Sequence, residues 1–150
     1  MEMKELIADL AGRLGIEFGN EGPWSFKADD IAVTIDSLPE MDVIIVMSDL
    51  GEPPPERLEG LYKTLLAANH LFGGTAGATI SLDAETGVIW LCRALNTAVL
   101  DGASFYSAIE RFVNTADNWH TIISDYRDAV PNMAKKDDEA IPAGGGFIQV

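Results

Sequence analysis

Residues 65–95 read LLAANHLFGGTAGATISLDAETGVIWLCRAL. The start of this stretch closes a helix: Leu58, Leu61, Tyr62, Leu65, Leu66 and Asn69 recur at helical spacing, and Gly73-Gly74 stops the run. Beyond the glycines, Ala76, Ala78, Ile80 and Leu82 alternate with Gly77, Thr79, Ser81 and Asp83, the period of a strand with one buried face. Asp83 to Gly87 has the acidic and glycine residues of a short hairpin loop. Val88 to Cys92 is apolar on both faces, with Trp90 on one and Ile89 and Leu91 on the other. A helix, a glycine stop and an antiparallel hairpin in succession belong to an α+β domain.

Toward the N-terminus the same logic adds a helix and two or three strands. Met3, Leu6, Ile7, Leu10 and Leu14 form an amphipathic stripe that ends near Gly15. Phe18, Trp24 and Phe26 lie among Gly19, Gly22 and Pro23, where a short edge strand is expected. Ile31, Val33 and Ile35 then alternate with Ala32, Thr34 and Asp36, and Val43 to Met47 is apolar on both sides. A strand of that kind needs cover on both faces. Prolines 53–55 mark a loop that precedes the second helix.

Toward the C-terminus, Phe105, Ile109, Phe112, Ala116, Trp119, Ile123, Tyr126 and Val130 follow at steps of four and three, a helix that docks an aromatic-rich stripe on a sheet. Pro131 is expected to end it, leaving a charged and then glycine-rich tail at 131–150 that reads as flexible. The expected order is α-β-β-β-α-β-β-α: an α+β fold with an antiparallel, strongly twisted sheet and three helices over 1–130.

The chain has 150 residues and 47% hydrophobic content, enough for one domain with a real core. Its 24 acidic and 10 basic residues give a net charge of −14, which repels nucleic acid and anionic membranes and favours solubility. The acidic N-terminus lacks a secretory pattern, and no run suits a bilayer span, so a cytoplasmic location is expected. Cys92 is the single cysteine and reads as a small buried hydrophobe.

Motifs that carry chemistry are lacking. The GGTAG cluster at 73–77 follows a helix and precedes a strand, the reverse of a phosphate loop, and no Gly-Lys-Ser/Thr follows it. His70 and His120 have no partner at ligand spacing, so no metal or cofactor is expected. No nucleophile motif is present, and 24 carboxylates guarantee chance acidic pairs. A small enzyme built on scattered carboxylates and His120 is the weakest reading.

The element order resembles that of the type III secretion chaperones of the Tir-chaperone (CesT) family. So do LLAANHLF at the end of the second helix, the hairpin GGTAGATISLDAETGVIWLCRAL, and FYSAIERFVNTADNW, whose Phe105 and Trp119 stand about fourteen residues apart. The resemblance covers roughly 1–130. It implies a homodimeric, cytoplasmic, non-enzymatic chaperone. Such a protein holds the N-terminal segment of a secreted effector in extended form and presents it to the export apparatus. By the same resemblance, Leu6, Leu10, Ile31, Val33, Ile44 and Val46 would line the effector-binding groove. Leu58, Leu61, Tyr62, Leu65, Ile89 and Leu91 would form the dimer interface. The alternative within the same fold is an adaptor or regulatory protein that binds a folded partner.

Overall fold

The computed structural model describes residues 1–56 and 58–133, and for 127–133 the helical backbone alone. The tail expected at 131–150 therefore falls, from residue 134 onward, outside the described residues. The chain folds as α1 (Met3–Leu14), β1 (Trp24–Ala28), β2 (Ile31–Leu38), β3 (Val43–Gly51), α2 (Leu58–Asn69), β4 (Thr79–Leu82), β5 (Ile89–Asn96) and α3 (Gly102–Met133). This is the α+β order expected from the sequence. The five strands form one antiparallel sheet in the order β1-β2-β3-β5-β4, so β1 and β4 are its edges.

Cross-strand register sorts the strand residues onto two faces. Phe26 stands opposite Val33, Trp24 opposite Ile35, Ile35 opposite Val46, Ile44 opposite Leu95, and Leu91 opposite both Ser48 and Ile80. Every fully buried strand residue belongs to this face, and the buried side chains of α1, α2 and α3 join it in one core. On the opposite face Thr34, Met47, Cys92 and Thr79 form one cross-strand row, and Asp49, Trp90 and Ser81 another. All of these are half-buried or exposed. The helices thus cover one side of the sheet, and the apolar residues Val43, Ile45, Met47, Trp90 and Cys92 remain on the other.

Three polar contacts fix the core's edges. Trp119 donates its indole N–H to the Gly74 carbonyl at 2.8 Å, which ties α3 to the loop after α2. A buried indole that kept no acceptor would be destabilising. Ser48 is almost fully buried in β3, and its hydroxyl donates to the Ala32 carbonyl at 2.8 Å. Asn69, at the last turn of α2, holds the outer edge of β4 through both hydrogen-bonding groups of its amide.

Three local details differ from the sequence reading. The strand expected from Ala76 begins only at Thr79, because Ala76 and Gly77 have positive φ (51° and 89°) and turn the chain before the ladder starts. Helix α3 continues past Pro131 to Met133 instead of ending there. Cys92 is half-buried on the open face of the sheet, not in the core, and burial pushes its thiol pKa up. The side chain of Val130 lies beyond those described.

Candidate functional site

The six residues expected to line a groove occupy the core. Leu6, Val33, Ile44 and Val46 have no exposed surface, and Leu10 and Ile31 expose 1% and 3%. The phase is the reverse of that expected: in each strand the most hydrophobic residues point at the helices, and their neighbours point away. A ligand that touched these six would have to displace α1 or α3.

The accessible surface on the same elements is different. Beside α1 lies a groove of about 620 Å³, walled by Ala8, Ala11 and Gly12 on the helix and by Phe18, Asn20 and Trp24 across from it. Small residues on α1 create the space: a Cβ added at Gly12 would meet nothing within 4 Å. The facing wall is held firmly. Trp24 donates its indole N–H to the Gly19 carbonyl at 2.8 Å, and Phe18 packs on Phe26 with ring centroids 6.3 Å apart. Trp24 opens β1, an edge strand that among the described residues pairs only with β2. The groove therefore adjoins a strand edge that no other described strand covers.

A second apolar surface surrounds the end of α2. Leu66 is 70% exposed, Leu71 83%, Phe72 56% and Leu82 46%. Leu58, Tyr62 and Leu66 follow at steps of four on α2, with the first two half-buried. Of the expected interface residues, Leu61, Leu65, Ile89 and Leu91 are buried within this single chain, while Leu58 and Tyr62 retain surface. Leu71 and Phe72 also have positive φ, 52° and 57°. Two successive strained residues that hold large apolar side chains in solvent are costly for a free monomer.

Among the described residues, no group of three or more His, Cys, Asp or Glu side chains is placed to hold a metal. His70 is exposed after α2, and His120 is half-buried on α3. No helix of the described residues is long and apolar enough to cross a membrane.

The model of the Tir chaperone protein (CesT) family matches residues 5–120, from α1 into α3. The chain belongs to this family. Solved structures give the same architecture. The ExsC–ExsE complex aligns with a TM-score of 0.66 at 20% identity, covering 82% of this chain and 97% of that one. The heterodimeric ExoU–SpcU complex from the type III secretion system of Pseudomonas aeruginosa aligns at 0.62 and 17% identity, covering 84% and 98%. The HopA1–SchA chaperone–effector complex aligns at 0.60 and 16%, covering 81% and 98%. Among curated proteins no relative matches. At these identities the structures show a shared fold, and the family match carries the assignment.

Proposed function

We propose that this chain is a type III secretion chaperone that binds the N-terminal region of a secreted effector in extended form and keeps it soluble until export. The observation that carries the reading is the adjacency of the α1 groove to the edge of β1 that no other described strand covers, in a chain of the CesT family. An extended peptide laid along that edge gains main-chain hydrogen bonds, and alternate side chains drop toward the groove. Its site is then Ala8, Ala11, Phe18 and Trp24, with Val43, Ile45 and Met47 of the open sheet face as further apolar surface.

In this reading the chaperone is a cytoplasmic homodimer. The second copy covers Leu66, Leu71, Phe72 and Leu82, with Leu58 and Tyr62 at the margin; burying these side chains offsets the strain at Leu71 and Phe72. The net charge of −14 keeps a loaded complex dispersed on its way to the export apparatus. The protein acts by binding, without turnover or cofactor.

The test is co-purification of partners from the source cell's lysate, followed by limited proteolysis of the complex. An N-terminal effector segment protected only in the complex supports the proposal. A partner that binds as an intact folded domain favours the adaptor reading instead.

A further inference from the structure

Two charged side chains belong to the α1 groove, one at each end. Lys4, Ala8 and Gly12 line it at steps of four along one face of α1, a length of about 12 Å. Glu17 lines it too, just past the stop at Gly15, where the Ile16 N–H bonds back to the Ala11 carbonyl at 3.0 Å. Lys4 thus marks the end of the groove at the start of the helix, and Glu17 the end at its finish. Both are exposed, and neither has an ion-pair partner among the described residues, where the one ion pair is Asp9–Arg13.

Each charge also sits at the wrong end of α1 for the helix itself. A helix start favours negative charge and a helix end positive charge. The rest of α1 obeys this: Glu2 and Glu5 form a capping box at the start, and Arg13 in the last turn pairs with Asp9 at 2.6 Å. None of these four lines the groove. On the groove face the pattern is inverted, with Lys4 in the first turn and Glu17 beyond the last. Helix stability accounts for neither charge, and no described neighbour neutralises them. An occupant of the groove with the complementary charges would.

We propose that the α1 groove selects an extended polypeptide segment that brings an acidic side chain to Lys4 and a basic one to Glu17, with apolar contact to Ala8, Ala11 and Gly12 between them. An extended chain rises about 3.3 Å per residue, so the acid and the base stand about four residues apart, on one face of the segment. The helix wall of small residues imposes little shape, since a Cβ added at Gly12 would meet nothing within 4 Å. The charged ends, rather than that wall, therefore discriminate between segments. That a polypeptide occupies the groove rests on the chaperone reading; the charge preference rests on Lys4 and Glu17.

The test titrates acetyl-Glu-Ser-Leu-Ser-Lys-amide, and the reversed order acetyl-Lys-Ser-Leu-Ser-Glu-amide, into the intact protein. NMR follows the backbone amide signals of Ala8, Ala11 and Gly12, and comparison peptides carry Gln in place of Glu or of Lys. For the tighter order, the Glu peptide is expected to bind about two- to fivefold better than its Gln counterpart, a difference that about 0.5 M sodium chloride removes. Bulk attraction predicts the opposite sign, because the protein carries a net charge of −14. In K4Q the Gln peptide binds as well as the Glu peptide or better. E17Q removes the gain from the peptide's Lys, whereas E21Q, at an exposed charge outside the groove, keeps it. K4Q and E17Q each relieve the helix dipole, so both variants fold and melt no lower than the wild-type chain.

Binding that ignores the peptide charges overturns the selection and leaves the groove as a polypeptide site. An E21Q effect as large as that of E17Q overturns the role of Glu17. Peptides that leave all three amide signals unmoved overturn the site. A charge preference found here, beside a lysate partner that protects no extended segment, contradicts the chaperone reading and leaves the selection standing.

Discussion

The side-chain amide of Asn69 takes the place of a neighbouring strand for Ile80: it accepts from the Ile80 N–H at 2.8 Å and donates to the Ile80 carbonyl at 2.9 Å. Ile80 is on β4, at one edge of the sheet, so among the described residues these backbone groups have no ladder partner on that side. One residue thereby ties the end of α2 to the sheet and blunts an edge that would otherwise invite pairing. Asn69→Ala leaves both groups without their partners and is expected to cost about 2 kcal/mol. Asn69→Asp keeps the acceptor but sets a carboxylate against the Ile80 carbonyl, so it restores little. Urea unfolding and hydrogen exchange at the Ile80 amide check both; unchanged exchange in Asn69→Ala would contradict this role.

A second prediction separates core from surface. Because Leu10 and Val33 are buried at 1% and 0% exposure, Leu10→Glu and Val33→Glu are expected to unfold the chain by several kcal/mol, about what a buried unpaired charge costs. Ala11→Glu and Ile45→Glu, at half-buried positions, should fold, with loss of effector binding as their phenotype. Circular dichroism melts alongside a binding assay distinguish the two classes. A folded, binding-competent Val33→Glu would refute the face assignment.

The start of α3 gives a pH prediction. Asp101 accepts from the Ser104 N–H at 2.7 Å and from its hydroxyl at 2.8 Å, while the Ser104 hydroxyl also accepts from the Asp101 N–H. These bonds, led by the one from the Ser104 backbone, hold the Asp101 carboxyl below its ordinary value of 3.8. A depressed folded-state pKa contributes stability that is present above 3.8 and is lost as pH falls through the lower folded value. Asp101→Asn keeps the cap and should remove this part of the acid sensitivity. Urea midpoints of both proteins from pH 5 to about pH 2 test it, and parallel curves would contradict it.

Oligomeric state provides a fourth prediction. Leu66→Glu and Phe72→Glu place charge on the apolar surface around the end of α2 and are expected to convert a dimer to a folded monomer. Sedimentation equilibrium across a concentration series reads this directly. A wild-type chain that stays monomeric at every concentration would contradict the proposed interface.

The sequence made the core of α3 legible. Phe105, Ile109, Phe112, Ala116, Trp119, Ile123 and Tyr126 fall on one stripe at helical spacing, and all seven are buried, because a long helix on a sheet must bury one continuous face. The first strand of the hairpin is legible for a similar reason, Ile80 lying between Thr79 and Ser81 at the strand period, whereas the second, apolar on both faces from Val88 to Cys92, is legible by its turn and its apolar run. The groove was not legible, since its helix wall is Ala8, Ala11 and Gly12, small residues whose role is to leave space and which carry no hydrophobic period. The apolar residues that the family resemblance suggests for it, Leu6, Leu10, Ile31, Val33, Ile44 and Val46, belong to the core. The positive φ values at Leu71, Phe72 and Ala76 could not be anticipated, because none of these residue types favours them.

The most direct test of the central claim is hydrogen exchange of the chain bound to its effector, compared with the chain alone. The account predicts new protection along the β1 edge, from Trp24 to Ala28, and in α1 around Ala8 and Ala11, together with protection of one N-terminal effector segment. Protection confined to the α2 end, with β1 unchanged and the effector's folded domain protected instead, would contradict it.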